Sequence, residues 1–261
     1  MFLPTSAFPF ILNNSDALAS DVQNLLAKDI FKSFSSSEGL LGFLLVKEKR
    51  LTVQLNINNE SLSLHIDFVA GKSKHRRLYG GGKNQPLAKA CGLYKHPRWT
   101  IFDATAGLAR DAFVLASLGA QVTLCEQHPA LYALLVDAIS RARDDADIAP
   151  VINRMQCLHQ NSIEYLVAIR NNNEQRPDVI YLDPMYPDRK KSAKIKKEMQ
   201  VLQYLVGHAD DEKSLFESAL NTALHRVVVK RPKSAKRLND KAPSYEVNSP
   251  NTRYDVYVIK C

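Results

Sequence analysis

The chain has 261 residues, enough for one sizeable core with a small appended unit. Hydrophobic residues make up 45% and charged residues 24%, the balance of a soluble globular protein, and no apolar run approaches the roughly 20 residues of a membrane span. The net charge of +8 favours a polyanionic partner, while Cys91, Cys125, Cys157 and Cys261 form no C-x-x-C pair and the histidines lack metal spacing, which argues against a zinc site or disulfide framework and for a reducing, cytoplasmic setting.

Residues 1–11 are apolar but contain Pro4 and Pro9, follow no basic stretch and end in no cleavage site. They read as a strand or loop rather than a signal peptide. Residues 40–46, 51–57 and 62–68 are short apolar runs separated by polar turns. The alternation of Leu62, Leu64, Ile66 and Phe68 has the period of a half-buried strand. Together these runs predict an antiparallel meander within an N-terminal subdomain, residues 1–70. Residues 71–98 read as a basic, glycine-rich connecting segment and helix. Arg76 and Arg77 stand there beside Gly80, Gly81 and Gly82, either as a loop able to approach a phosphate or as a solvated linker.

From residue 99 to 261 the pattern changes to alternating strand and helix. Strands are expected at residues 99–103, 121–125, 155–159, 179–182, 226–229 and 254–259. Helices are expected at residues 108–118, 129–146, 163–170, 196–206 and 212–224. Such alternation predicts an α/β fold with a mostly parallel sheet covered by helices on both faces. Ligands on such sheets bind outside the carboxyl ends of the strands.

Four strand ends carry suitable polar groups. After the first, Asp103, Thr105, Gly107 and Asp111 line a loop with one glycine and two acids. A pyrophosphate would call for G-x-G-x-x-G; an acidic loop suits a phosphate-free ligand with a positive centre, such as S-adenosylmethionine. Glu126 ends the second strand at the usual distance for a ribose-binding acid. Asn161 and Ser162 follow the third, where an adenine edge would lie, and also read as a helix N-cap. The fourth ends in Asp183-Pro184-Met185-Tyr186: a carboxylate, a carbonyl before an aromatic ring, and that ring. This set can hold the exocyclic amine of a nucleobase in front of an electrophile, although acid–proline pairs also mark turns.

The segments D-A-T-A-G-L-A-R-D (residues 103–111), L-D-P-M-Y-P (182–187), K-S-A-x-x-K-K-E-M (191–199) and V-V-V-K-R-P (227–232), with H-R-R-x-x-G-G-G at residues 75–82, resemble the ribosomal RNA small subunit methyltransferase J family. The resemblance runs from about residue 75 to the end. It implies a class I S-adenosylmethionine-dependent methyltransferase, Rossmann-like, that methylates the exocyclic N2 of a guanine in 16S ribosomal RNA, free or in the small-subunit particle. It also implies cofactor contacts at Arg110, Asp111, Glu126, Gln127, Asn161, Ser162 and Asp183. Gln127 stands where a basic residue is expected, Asp188 where a histidine is common, and Met185 at the third place of a [DN]-P-P-[FYW] motif.

On this reading Asp183 and Pro184 accept hydrogen bonds from the amine and Tyr186 stacks on the base, with no metal involved. Two basic clusters, Arg189, Lys190, Lys191 and Lys194, then Lys230, Arg231 and Lys233, are expected to flank one mouth as a phosphate track. The competing readings are an adenine-N6 methyltransferase on DNA or RNA, and a relative that binds RNA without catalysis. A nicotinamide dehydrogenase stands further off, for want of glycines.

Overall fold

The computed structural model describes residues 7–11, 18–57, 59–70, 82–172, 174–185, 196–207 and 211–260. Two sheets share its interior. The first has five strands: β1 (Phe8–Ile11), β2 (Phe31–Phe34), β3 (Gly42–Lys47), β4 (Arg50–Ile57) and β5 (Glu60–Leu64), in the order β2-β1-β3-β4-β5. Helix α1 (Ser20–Leu26) joins β1 to β2. The expected antiparallel meander is present as β3-β4-β5. Its first turn is tight: Lys47 pairs with Arg50, and Glu48 and Lys49 between them both have positive φ, as a two-residue hairpin of right-twisted strands requires.

The meander is extended by two strands outside the expected runs, and β1 lies parallel to both β2 and β3. A helix crossover between β1 and β2 permits that pairing where a hairpin would not. The third expected strand also stops early, at Leu64. Asp67 accepts from the backbone N–H groups of Val69 and Ala70 and turns the chain, while Ile66 and Phe68 remain buried.

The second sheet follows α2 (Pro86–Ala90). In chain order come β6 (Thr100–Asp103), α3 (Arg110–Ser117), β7 (Gln121–Glu126), α4 (Pro129–Ala142), α5 (Ala149–Ile152), β8 (Met155–His159), α6 (Ser162–Asn171), β9 (Val179–Leu182), α7 (Lys197–Val206), α8 (Glu212–Thr222), β10 (Arg226–Pro232), β11 (Tyr245–Asn248) and β12 (Thr252–Val258). Its seven strands run in the order β11-β12-β10-β9-β6-β7-β8. β10, β9, β6, β7 and β8 are parallel, and β12 and β11 add an antiparallel edge. The expected mostly parallel sheet is therefore present. β11 was not expected; its short run of Tyr245, Glu246, Val247 and Asn248 is mostly exposed and carries little apolar pattern.

All four residues of β9 are buried. Val179 and Tyr181 face a core shared with α3, α4 and the first sheet, whereas Ile180 and Leu182 face a second core with α6 and α8. Burial on both faces is why this strand reads as an unbroken apolar run. The winding reverses here: β7 and β8 lie to one side of β6, β9 and β10 to the other. The crevice at the carboxyl ends of β6 and β9 is thus the topological switch point, where ligands bind on such sheets.

The two sheets are joined by packing and by a buried acid. Phe68 stacks on Phe113 of α3 at 4.9 Å. Asp137 of α4, buried, accepts from the Leu51 N–H of β4 and from Arg141 Nε, and Arg141 donates onward to the Ile66 carbonyl. Replacing Asp137 with Ala strands the Leu51 N–H and frees Arg141 from its partner. A loss of about 1–3 kcal/mol in stability is expected, read as a lower urea midpoint at unchanged slope.

Candidate active site

The site is built around the turn from β6 into α3. Asp103 is buried, and its Oδ1 accepts from the Thr105 N–H at 3.1 Å. Neighbouring strands then hold each step of the turn. The Ala104 N–H donates to the Tyr181 carbonyl of β9, and the Ala106 N–H to the Cys125 carbonyl of β7. The Gly107 N–H donates to Glu126 Oε2 at 3.0 Å. Ser162, opening α6, donates to the Ala104 carbonyl at 2.7 Å, and Thr105 Oγ1 accepts from the Asp183 N–H at 2.7 Å. Gly107 has φ 51°, and a Cβ there would meet only the Thr105 carbonyl, at 3.8 Å. The missing side chain leaves an open approach to the backbone.

Two buried carboxylates face this loop. Glu126 accepts from Gly107 N–H and, through Oε1, from His128 N–H at 2.8 Å. Burial pushes its carboxyl up to about 7, partly offset by these N–H donors. Burial likewise pushes Asp103 up to about 7, with Asp111 and Asp183 adding to the rise. His128 is driven down to about 4 by burial; its neutral ring can therefore accept the Ala130 N–H through Nδ1 and cap α4.

On the β9 side, Asp111 Oδ2 accepts from the Tyr181 hydroxyl at 2.6 Å and from Lys230 Nζ at 2.8 Å. Lys230 Nζ also lies 2.8 Å from Asp183 Oδ2. Burial alone would lower the lysine, but Asp183 and Asp111 more than offset it and hold the ammonium above its ordinary value. Helix α7 covers the opposite side. Arg110 pairs with Glu198 of α7 at 2.6 Å, and Tyr204, Leu205 and Val206 close a cavity of about 240 Å³ against Glu126, Gln127, His128 and Pro129.

Asp103, Thr105, Gly107, Arg110, Asp111, Glu126, Gln127, Asn161, Ser162, Asp183 and Pro184 thus all belong to strand ends, loops or helix starts at the carboxyl ends of β6, β7, β8 and β9. Asn161 is the N-cap of α6, its Oδ1 accepting from Ile163 and Glu164 N–H and its Nδ2 donating to Gln127 Oε1. Two residues expected in the phosphate track are placed elsewhere. Lys230 is spent on two carboxylates, and Arg231 is buried, with Glu212 at 3.5 Å. Both lie on a central strand, where an unpaired cation could not be accommodated. Lys233 is exposed beyond that strand. Tyr186, Arg189, Lys190, Lys191, Lys194, Arg76 and Arg77 lie outside the described residues.

Sequence reasoning missed the roles of Lys230, Tyr181, Glu198 and the end of α7. For Lys230 a signal existed: β10 pairs Val229 with Leu182, so the next step of that register sets Lys230 beside Asp183. Among the described residues no helix is long and apolar enough to cross a membrane, and no cluster of His, Cys, Asp and Glu could hold a metal ion.

An open glycine, a carboxylate at the second strand end and a surplus of acids over cations fit a cationic, phosphate-free ligand better than a dinucleotide. On this Rossmann-like sheet they define a class I S-adenosylmethionine-dependent methyltransferase. A family model described as putative SAM-dependent methyltransferase matches residues 32–259. The chain is 52% identical over 200 residues to the ribosomal RNA small subunit methyltransferase J of Hydrogenovibrio crunogenus, spanning 75% of this chain and 70% of that one. It is 48% identical over 216 residues to that of Shewanella amazonensis, spanning 82% and 86%. The crystal structure of a SAM-dependent methyltransferase from Neisseria gonorrhoeae superposes with a TM-score of 0.76 at 36% identity, covering 97% of this chain and 96% of that one. The chain belongs to the ribosomal RNA small subunit methyltransferase J family.

The raised acids have a consequence for stability. Folded Glu126 releases its proton near pH 7 rather than 4.5, so between these values the folded chain binds more protons than the unfolded one, and stability falls as pH rises. The Glu126→Gln variant is expected to lose this downward slope. Ligand-free urea midpoints measured from pH 4.5 to 7.5 for both proteins check it: the difference between them should grow up to about pH 7 and then level off.

Proposed function

We propose that this protein transfers a methyl group from S-adenosylmethionine to the exocyclic N2 of a guanine in 16S ribosomal RNA, in the cytoplasm. The observation that carries the reading is the position of Asp183 and Pro184. They leave β9 at the switch point, and the Asp183 N–H is bonded to Thr105 of the cofactor loop. Substrate and cofactor groups therefore sit on one hydrogen-bonded unit.

When bound, S-adenosylmethionine supplies a methyl on a sulfonium, whose C–S bond breaks with its electrons going to sulfur. Glu126 is placed to accept both ribose hydroxyls, Gly107 to admit the ligand against the backbone, and Asp103 and Asp111 to favour its positive charge. Gln127 and Asn161, bonded to each other, border the adenine side.

The guanine amine is a poor nucleophile because its lone pair is delocalised into the ring. Asp183 and the Pro184 carbonyl accept its two N–H groups and localise that pair toward the methyl carbon, while Tyr186 stacks on the base. The new C–N bond forms with the nitrogen pair, and the surplus proton leaves to solvent from an amine that is now strongly acidic. Positioning and electrostatics supply most of the acceleration.

A base held this way must be single-stranded or flipped from its stack. Lys196, Lys197, Lys233 and Lys236 are exposed at the ends of segments that leave the same rim and serve the phosphates, together with Arg189, Lys190, Lys191 and Lys194 and with Arg76 and Arg77.

Asp183→Ala is expected to lower the rate of tritium transfer to ribosomal RNA by at least about 10²-fold while S-adenosylmethionine still binds in calorimetry. Nucleoside mass spectrometry of 16S RNA from cells with and without the protein should differ in N2-methylguanosine. A difference in N6-methyladenosine instead would sink the guanine assignment.

A further inference from the structure

We propose that Lys230 is a positioning residue for methyl transfer: its ammonium, 2.8 Å from both Asp111 Oδ2 and Asp183 Oδ2, orients the Asp183 carboxylate, keeps it ionised, and ties the base-facing acid to the acid on the cofactor side. The inference rests on Asp183 being the group that meets the base.

The placement is rigid. Lys230 belongs to β10 and Asp111 to the first turn of α3, and Asp183 directly follows β9 with its N–H bonded to Thr105. Asp111 is fixed from a second direction by the Tyr181 hydroxyl at 2.6 Å. A group held by strands and a helix is positioned more closely than one held by loops.

The charge count gives the need. Asp103, Asp111 and Asp183 face one another across the switch point, with Tyr181 close to Asp111 and Asp183 and Tyr254 close to Tyr181 as further titratable groups. Among the described residues Lys230 sets a cation against these acids at 2.8 Å from Asp111 and Asp183, while Arg110 pairs with Glu198. Removing it takes an opposite charge from beside Asp183 while Asp103 and Asp111 stay close, a change that favours the protonated acid. A neutral carboxylic acid is a weaker acceptor for the guanine amine and can itself donate. Nor is the lysine placed to bind a phosphate: its side chain is only 24% exposed and bonded at both sides.

The test compares wild type with Lys230→Met, Lys230→Gln and Lys230→Arg in single-turnover transfer to 16S RNA, at saturating cofactor, as a function of pH. RNA binding against salt and S-adenosylmethionine binding are measured on each variant. Lys230→Met is expected to lower the neutral-pH rate roughly a hundredfold and to move the acidic limb of the profile up by about one unit or more, with the salt slope of RNA binding unchanged. Lys230→Arg should keep the limb near its wild-type position. Lys230→Gln separates loss of charge from loss of packing, should Lys230→Met fold poorly. A wild-type rate and limb, with a salt slope shallower by about one, would return Lys230 to the phosphate track and overturn the proposal. Asp183→Asn is run alongside. If it too keeps the wild-type rate, the reading of Asp183 fails and takes the proposal with it; if it is inactive while Lys230→Met is normal, only the proposal fails.

Discussion

The turn from β6 into α3 holds the site together, because the ends of β7 and β9 and the start of α6 are all hydrogen-bonded to it. Tyr181 on β9 and Asp183 just after it, Cys125 and Glu126 on β7, and Ser162 at the start of α6 each bond to an atom between Ala104 and Gly107. Strand ends in an open parallel sheet diverge with the twist, so side chains on different strands do not stay in register unaided. Here one short segment links three of them. The cost is a backbone that takes φ 51° at both Gly107 and Ala109; the alanine adopts a conformation that residues with a Cβ seldom enter. The surrounding bonds keep it there.

Around that turn the electrostatics divide by side. Toward β7 the acids are buried among backbone donors and hold protons near neutrality. Toward β10 a lysine neutralises part of the negative charge. The cavity against Glu126 is lined on its other side by the helix that comes next in the chain after β9. α7 begins after Lys196, pairs through Glu198 with Arg110, and ends at Tyr204, Leu205 and Val206 over Glu126.

Much of this was legible from residue order. The alternation from residue 99 onward located the strands of the parallel sheet because helix and strand periods differ and buried parallel strands are continuously apolar. The acids at 103, 111, 126 and 183 were visible because ligands gather at carboxyl ends. The first sheet was harder. β2 offers only Phe31 and Phe34 around exposed Lys32 and Ser33, and its parallel pairing with β1 depends on a tertiary crossover that no local pattern records. Lys230 and Arg231 were misread for a related reason. A basic pair looks like a solvated cluster until strand register shows which acids face it.

Arg253 carries one more consequence. Its guanidinium, paired with fully buried Asp255, also donates to the carbonyls of Lys233 and Ala235. Arg231 adds a bond from beneath, to the Lys236 carbonyl. The stretch that leaves β10 toward the RNA side is therefore set before any nucleic acid arrives. Ordering a floppy segment on contact would subtract from affinity; this one has already lost its freedom during folding. On the proposed function its lysines form a template whose shape the interior of the sheet edge fixes.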